Sequence, residues 1–232
     1  MLMPKRGLYA ITPEGKSAAE ILKFTEAVLK GGAKVVQYRE KSNVGADCIR
    51  PPTSESLKTD VIEERANVIR PYDLAKKLLE LCHAHNTPLI INDNVELAEK
   101  IGADGVHLGA DDGSISEARQ RLGESAIIGV SCYNSLERAI EAENEGANYV
   151  AFGRFFTSNS KPLAAPAEIG TLTAAKKVLT LPIVAIGGIL PKNGASLLNA
   201  GADLLAVIGG LAIKNSELAA QSYCTLFSQR CH

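Results

Sequence analysis

The chain has 232 residues, of which 46% are hydrophobic and 22% charged, and its formal net charge is −1 at pH 7. These values are typical of a globular protein with a sizeable core, and they give no electrostatic basis for binding nucleic acid or an anionic membrane surface. No apolar run approaches the roughly 20 residues of a membrane-spanning helix, and the N-terminal stretch lacks the apolar segment of a signal peptide, so we expect neither.

Eight short apolar segments recur along the chain, and an amphipathic stretch follows each of them. They are GLYAIT at residue 7, KVVQY at 34, PLIIN at 88, DGVHL at 104, AIIGVS at 126, YVAFG at 149, PIVAIGG at 182 and DLLAVIG at 203. Strands that are apolar on both faces are typical of parallel sheets covered by helices. We therefore predict an α/β fold, a (β/α)₈ barrel forming one domain over residues 1–232. A doubly wound open sheet is the alternative, because periodicity alone cannot close a barrel.

The active sites of such barrels lie where the strands end, so the residues at the strand ends are the candidates for a functional site. Gln37, Arg39 and Lys41 alternate after the second strand, and a continuing strand would point all three inward. Two cations and an amide are costly in an apolar interior but suit a polyanionic ligand. The alternative is a solvated strand end at which Glu40 supplies an ion pair.

Acidic residues follow the next two strands. Asn92 and Asp93 end the third strand, and Asp112 follows the fourth. Carboxylates from adjacent strand ends can share one Mg²⁺, which usually keeps waters and substrate phosphates as its other ligands. Helix N-capping is the alternative for both acids. We expect His107 to be packed or hydrogen-bonded inside the barrel rather than to act as a catalyst.

The later strand ends carry groups suited to binding phosphate. Gly187–Gly188 and Gly209–Gly210 follow strands seven and eight, where barrels of this kind often bind phosphate through backbone N–H groups. In the segment FFTSNSKP, the hydroxyls of Ser158 and Ser160 would lie beside these glycines, and Lys161 would lie toward a second anion. Two anionic ligands are therefore predicted; a tight turn is the alternative for each glycine pair.

The motifs VVQYREK, LIINDN, DGVHLGADD, GVSCYNS, FGRFFTSNSK and PIVAIGGI resemble, in this order, those of the thiamine-phosphate synthase (thiamine-phosphate pyrophosphorylase) family. The resemblance covers nearly the whole chain except about residues 43–70. It implies a transferase that condenses a hydroxymethylpyrimidine diphosphate with a hydroxyethylthiazole phosphate, giving thiamine phosphate and pyrophosphate. It also implies dependence on Mg²⁺ and a route in which the bond to pyrophosphate breaks before the thiazole nitrogen attacks.

The resemblance also implies roles for individual residues. Those implied for the pyrimidine diphosphate are Gln37, Tyr38, Arg39, Glu40, Lys41, Asn92, Ser131 and Lys161, of which Arg39, Lys41, Ser131 and Lys161 would be catalytic. Those implied for the thiazole phosphate are Ser158, Asn159, Ser160, Gly188, Ile208 and Gly209. Asp93 and Asp112 would bind Mg²⁺.

Two departures from the family pattern stand out. The segment at 157–161 has Thr-Ser-Asn-Ser-Lys where the family has Pro-Thr-x-Thr-Lys, which keeps the hydroxyl donors but removes the proline. Residues 43–70 form an insertion that we interpret either as a lid over the diphosphate or as a passive loop. Two other functions are considered: a thiazole tautomerase-like isomerase of the same fold, and a non-catalytic sensor of phosphorylated ligands.

The charge and the cysteine content indicate the cellular compartment and the partners to expect. The five cysteines form no CxxC pair and no metal-ligand spacing, and an odd number leaves at least one unpaired. We therefore predict reduced thiols and a cytoplasmic location. The expected partners are small phosphorylated substrates rather than nucleic acid or membrane, and the sequence is compatible with a homo-oligomer.

Overall fold

The computed structural model describes residues 1–40, 71–109, 113–157 and 165–228. Within these ranges, eight parallel strands close into a barrel in the order β1 to β8. The strands are β1 (Gly7–Ile11), β2 (Val35–Tyr38), β3 (Leu89–Asn92), β4 (Gly105–Leu108), β5 (Ile127–Tyr133), β6 (Tyr149–Phe152), β7 (Ile183–Ile186) and β8 (Leu204–Val207). The helices are α1 (Ala18–Lys30), α2 (Pro71–Ala84), α3 (Val95–Ile101), α4 (Ile115–Leu122), α5 (Leu136–Asn144), α6 (Ile169–Val178), α7 (Pro191–Asn199) and α8 (Ser216–Ser228). The predicted (β/α)₈ barrel is confirmed.

The barrel closes where β8 pairs with β1. Leu204 lies beside Gly7, and Val207 lies beside Ala10, in parallel register. An open sheet would leave two edge strands with unpaired backbone groups, whereas closure removes both edges. The alternative of a doubly wound open sheet is therefore wrong.

Apolar side chains pack on both sides of the barrel wall, as the apolar runs predict. In β1, Leu8 and Ala10 belong to the layer packed against the helices, whereas Tyr9 and Ile11 belong to the cluster inside the barrel. This alternation follows from the two-residue period of a strand. Burying one large aliphatic side chain contributes about 1.5–3 kcal/mol, so the two layers together hold the wall in place.

The first helix illustrates how local sequence starts each outer element. Ser17 caps α1: its hydroxyl accepts from the N–H of Glu20 at 3.3 Å, and the Glu20 carboxylate accepts from the Ser17 N–H at 2.9 Å. This capping box satisfies two N–H groups that the first helical turn leaves without partners. Ile21, Phe24 and Val28 then fall on one face and are buried against the barrel.

Polar side chains at the amino ends of the strands bind the backbone of neighbouring strands. The residue directly before each of β4, β6 and β8 accepts a hydrogen bond from a backbone N–H at or next to the start of the preceding strand. The pairs are Asp104 with Leu89 at 2.9 Å, Asn148 with Ile128 at 2.8 Å, and Asp203 with Ile183 at 3.0 Å. These acceptors come from the recurring GAD and GAN phrases of the sequence. The phrases therefore supply backbone partners at this end of the barrel as well as the helix-to-strand turn.

Parts of the predicted organisation fall outside these ranges. The insertion at 43–70 lies outside the described residues, so its interpretation as lid or loop stays a prediction. Among the described helices, none combines the length and apolar composition needed to cross a membrane. The cysteines within the described ranges, Cys82, Cys132 and Cys224, are free thiols, in agreement with the prediction for them.

Candidate active site

Five side chains from five strands form a row of hydrogen bonds across the barrel interior. Gln37 Nε2 donates to the Tyr9 hydroxyl at 2.9 Å, and the Tyr9 and Tyr149 hydroxyl oxygens lie 2.8 Å apart. His107 Nδ1 lies 2.9 Å from the Tyr149 hydroxyl, and its Nε2 lies 2.9 Å from Ser131 Oγ. The prediction that His107 is hydrogen-bonded inside the barrel is confirmed. The row joins Gln37 in β2 to Ser131 in β5, two predicted substrate-binding residues.

The two tyrosines at the centre of the row are fully enclosed. Burial raises the pKa of Tyr9 and of Tyr149 well above the ordinary phenol value, so both hydroxyls keep their hydrogen. Their rings meet edge to face with centroids 5.8 Å apart, and the His107 ring stacks on Tyr149 at 5.6 Å. Gly129 makes room for Tyr149, because a Cβ added there would lie 1.9 Å from the Tyr149 Cζ.

The end of β2 separates its side chains between two layers, as the strand period requires. Gln37 is 3% exposed and binds Tyr9 inside the barrel. Tyr38 packs in the outer layer beneath the helices, and its hydroxyl donates to the exposed Glu40 at 3.4 Å. The Tyr38 ring therefore faces away from the barrel interior, and its binding role stays a prediction.

Arg39 is buried at the mouth of the barrel and has a partner that the sequence analysis missed. It is 7% exposed and forms an ion pair with Glu14, from the segment after β1. Its backbone N–H donates to the Thr12 hydroxyl at 2.9 Å, which ties the ends of β1 and β2 together. For Arg39 the ion-pair partner in the described residues is Glu14, and an ion pair of Glu40 with Lys41 lies outside them. The sequence feature that could have identified Glu14 is its position shortly after the end of the neighbouring strand, β1. Lys41 lies outside the described residues.

Asp93 follows β3 in a conformation that few residues other than glycine adopt. Its φ is 61°, and its N–H donates to the His107 carbonyl oxygen at 2.9 Å. A non-glycine residue held in the left-handed region is uncommon, and such residues cluster at functional sites. The N-cap of α3 is Asn94, whose side chain accepts from Leu97, so the capping alternative is wrong for Asp93.

A cavity of about 680 Å³ opens beside Asp93, between the amino ends of α3 and α4. Asn92, the carboxylates of Glu40, Glu96 and Glu117, and Arg121 also line it. Glu96 is paired with Lys100, but carboxylates still outnumber cations in the lining, which favours a cation. The N-cap of α4 is Ser114, which accepts from the Glu117 N–H. Asp112, the other predicted Mg²⁺ ligand, lies outside the described residues.

The glycines after β7 and β8 differ in what surrounds them. Gly188 has φ 62°, and a Cβ added there would lie 2.4 Å from the Thr157 carbonyl oxygen. A Cβ on Gly210 would lie 2.0 Å from the Tyr223 hydroxyl. For Gly209, by contrast, no described atom comes within 4 Å of such a Cβ. Protein packing thus explains Gly188 and Gly210, whereas no described residue packs against Gly209.

Several backbone N–H groups also lie after β7 and β8. Leu211 and Ala212 both donate to the Ile208 carbonyl oxygen, at 3.0 and 3.2 Å, so the chain turns as it does at the start of a helix. The N–H groups of Gly188 and Gly209 donate to no residue in the described part of the chain. N–H groups arranged in this way at the end of a strand suit an anion such as phosphate.

The remaining predicted residues of this region, Ser158, Asn159, Ser160 and Lys161, lie outside the described ranges, and their roles stay predictions. Cys132 lies near Ser131 in β5 but is fully buried, and burial raises the pKa of its thiol to about 12. A thiol that stays protonated is a poor nucleophile.

Comparison with known proteins finds relatives described as thiamine-phosphate synthases. The family model described as thiamine monophosphate synthase matches residues 8–211. The thiamine-phosphate synthase of Methylococcus capsulatus is 45% identical over 97% of this chain and 90% of its own length. That of Methylobacillus flagellatus is 44% identical over 98% of both chains. Among solved structures, a thiamine phosphate pyrophosphorylase from Pyrococcus furiosus superposes with a TM-score of 0.75 at 28% identity, covering 97% of this chain and 96% of that one.

Proposed function

The chain belongs to the thiamine monophosphate synthase family and is a transferase, and we propose that it makes thiamine phosphate. The substrates would be 4-amino-2-methyl-5-hydroxymethylpyrimidine diphosphate and 4-methyl-5-(2-hydroxyethyl)thiazole phosphate, and the second product pyrophosphate. The observation that carries the proposal is the extent of the family match. Residues 8–211 run from β1 to the turn after β8, so the match includes every strand end around the barrel mouth.

The pyrimidine diphosphate is assigned to the side of the barrel mouth where β2, β3 and β5 end. Gln37 and Ser131 face the pyrimidine, because each has its side chain at one end of the hydrogen-bonded row. Arg39 lies at the same edge and binds the diphosphate together with Lys41, Lys161 and Asn92. Arginine suits this task because its guanidinium can form two parallel bonds to phosphate oxygens.

Mg²⁺ is proposed as the cofactor, held by Asp93 with Asp112 as the second carboxylate. Support for Asp93 comes from its left-handed backbone conformation and from the carboxylates lining the adjacent cavity. Hard oxygen donors are the ligands that Mg²⁺ prefers, and one or two carboxylates per ion are usual. When bound, the ion would neutralise charge on the diphosphate oxygens.

The reaction needs stabilisation of a leaving group more than it needs a base. The bond between the pyrimidine methylene carbon and the diphosphate oxygen breaks with its electron pair leaving on pyrophosphate. The thiazole nitrogen then attacks the methylene carbon with its own lone pair, so no proton has to be removed. Positive charges from Arg39, Lys41 and Lys161 stabilise the departing anion by fixed electrostatics. This agrees with the lack of a predicted general base.

The thiazole phosphate is assigned to the opposite side of the mouth, after β7 and β8. The N–H groups of Gly188 and Gly209 and the open space beside Gly209 favour a phosphate there. Ile208 packs against the cluster inside the barrel and would provide an apolar edge for the thiazole. Ser158, Asn159 and Ser160 would add donors from the loop after β6.

An assay of product formation tests the function. Purified protein is mixed with both substrates and Mg²⁺, and thiamine phosphate is oxidised to its fluorescent thiochrome form. We expect product only when both substrates are present, loss of product with EDTA, and recovery with excess Mg²⁺. Product that persists in EDTA would contradict the metal assignment. No product from protein that binds neither substrate in calorimetry would overturn the proposed function.

A location follows from the same proposal. Both substrates and the product are charged phosphate esters that do not cross membranes unaided. The free thiols of Cys82, Cys132 and Cys224 agree with a reducing compartment. We therefore place the enzyme in the cytoplasm. Detection of its activity in a soluble cell fraction would support this, and activity confined to culture medium would contradict it.

A further inference from the structure

The row of hydrogen bonds inside the barrel has a direction, and the direction determines what Ser131 offers to a ligand. We propose that Tyr149 holds His107 as the neutral tautomer with hydrogen on Nε2, so that the Ser131 hydroxyl donates to the pyrimidine while Gln37 accepts from it. His107, Tyr149 and Tyr9 are then positioning residues that act through Ser131 and Gln37. The assignment of the ligand as a pyrimidine rests on the proposed function; the direction of the row does not.

The direction follows from counting hydrogens at the two tyrosines. Each hydroxyl has one hydrogen, which burial keeps in place by raising both pKa values. In the described part of the chain, the hydroxyl of Tyr9 has two partners, Gln37 and Tyr149, and that of Tyr149 has two, Tyr9 and His107. A buried hydroxyl between two partners is satisfied when it donates to one and accepts from the other.

The orientation of the Gln37 amide then determines which group donates in each of the following hydrogen bonds of the row. Because Gln37 Nε2 donates to Tyr9, Tyr9 donates to Tyr149, and Tyr149 donates to His107 Nδ1. A neutral imidazole whose Nδ1 accepts carries its hydrogen on Nε2. His107 Nε2 therefore donates to Ser131 Oγ, and the hydrogen of the Ser131 hydroxyl remains for a ligand.

The two ends of the row therefore offer a ligand one hydrogen-bond acceptor and one hydrogen-bond donor. Gln37 is 3% exposed, and its side chain has no described hydrogen-bond partner besides Tyr9, so its Oε1 remains as an acceptor. Ser131 supplies the donor. An aminopyrimidine offers both groups, because its amino group donates and a ring nitrogen accepts. A pyrimidine without the amino group would leave the buried Gln37 acceptor unpaired, which a site of this kind disfavours.

The tautomer can be measured directly. In protein labelled with ¹⁵N in histidine, long-range ¹⁵N–¹H correlation spectra separate a protonated ring nitrogen from a bare one. In mildly alkaline buffer we expect one neutral tautomer for His107, protonated at Nε2. A spectrum with hydrogen on Nδ1, or with both tautomers averaged, would overturn the proposal. This readout needs no substrate, so it stands even if the protein proves not to make thiamine phosphate.

Tyr149→Phe removes the hydroxyl that selects the tautomer. We expect the His107 signals to shift toward a tautomer mixture and the Kd of the pyrimidine diphosphate to rise by about 10- to 100-fold, as when outer-shell partners of a site are removed. The ratio of Kd values for the amino and deamino pyrimidine diphosphates, measured by calorimetry, should also fall. An unchanged ratio together with an unchanged His107 spectrum would contradict the positioning role. Tyr9→Phe should reduce the ratio through Gln37 as well.

Tyr223→Phe is the matched control. Tyr223 is also fully buried, but its hydroxyl donates to the Ile189 carbonyl oxygen at 2.9 Å, outside the row. The substitution removes the same oxygen and leaves a similar buried site. We expect it to lower stability without changing the His107 tautomer or the Kd ratio of the two pyrimidines. A change of either readout in this control would mean that general loosening of the barrel, rather than the row, sets them.

Discussion

The two ends of the barrel use polar residues in opposite ways. At the amino ends of the strands, Asp104, Asn148 and Asp203 each accept from a backbone N–H of a neighbouring strand. At the carboxyl ends, the N–H groups of Gly188 and Gly209 have no acceptor among the described residues. At the amino end these polar groups satisfy the protein's own backbone, whereas at the carboxyl end we propose that the two N–H groups bind a ligand, since active sites of barrels of this fold lie there.

Arg119 shows how completely the amino end is satisfied. Its guanidinium donates to the carbonyl oxygens of Ala126 at 2.6 Å and Gly146 at 3.2 Å, and to Asn148 Oδ1 at 2.8 Å. One side chain thus links the turn before β5 to the turn before β6. Arg39 at the other end is buried at the barrel mouth, and within the described part of the chain its ion-pair partner is Glu14. Both side chains are guanidinium groups, but Arg119 binds the protein's own backbone, whereas Arg39 is proposed to bind the diphosphate.

Asp93→Asn should give the largest effect. It removes a charge proposed to hold Mg²⁺, so kcat/KM should fall on the order of 10³-fold. Asparagine tolerates a positive φ, so the melting temperature should stay close to that of the parent protein. Steady-state kinetics and thermal unfolding measure the two quantities. Activity within about threefold of the parent protein would remove Asp93 from the metal site.

Two glycine variants sharpen the contrast within the carboxyl end. Gly209→Ala should raise the KM for the thiazole phosphate about 10-fold and leave stability within ~0.5 kcal/mol, because its Cβ meets no described atom. Gly188→Ala should lower the free energy of unfolding by at least about 1–2 kcal/mol, because alanine is strained at φ 62°. An unchanged KM in Gly209→Ala would argue that the open space is not the phosphate site.

Asp203→Asn tests the amino end. It weakens the acceptor for the Ile183 N–H and removes the ion pair with Lys176, so we expect a loss of about 1–3 kcal/mol of stability with unchanged kcat/KM. Lys176→Met is the control, since it removes only the exposed partner and should cost about 0–1 kcal/mol. Urea unfolding measures both. A large drop in kcat/KM at assay temperature would break the division between the two ends.

The smallest effect concerns the buried thiols. Burial raises the pKa of Cys82 and Cys132 to about 12, from an ordinary value near 9. Because the folded pKa is the higher one, these thiols contribute stability below about pH 9 and lose it as pH rises toward 12. We expect no alkylation of either thiol by iodoacetamide in the folded protein at mildly alkaline pH, and full reaction in urea. Peptide mass mapping would show whether either reacts in the folded state.

The sequence predicted the barrel and much of its mouth because both depend on local patterns. Continuous apolar runs located the strands, and the residues at or just after the end of each run gave Gln37, Arg39, Asn92, Asp93 and Ser131. β5 extends to Tyr133, beyond the predicted end at Ser131, because the pairing with β6 is irregular between these two residues. An irregularity of this kind has no clear local pattern in sequence.

Contacts across the barrel could not be predicted from sequence. Tyr9 and Tyr149 are 140 residues apart and were counted as apolar strand residues, so nothing indicated that their hydroxyls meet. Glu14 lies after β1 and Arg39 after β2, and their pairing depends on how the strand ends turn. The missed signal was chemical: a tyrosine facing the inside of a barrel needs a partner for its hydroxyl.

A crystal structure with thiamine phosphate, pyrophosphate and Mg²⁺ bound would test the central claim most directly. We predict pyrophosphate and one metal ion beside Asp93 and Arg39, the phosphate ester against the N–H groups of Gly188 and Gly209, and the aminopyrimidine between Gln37 and Ser131. Ligands bound at the amino ends of the strands, or a metal ion away from Asp93, would contradict the account of how the two ends divide stability and function.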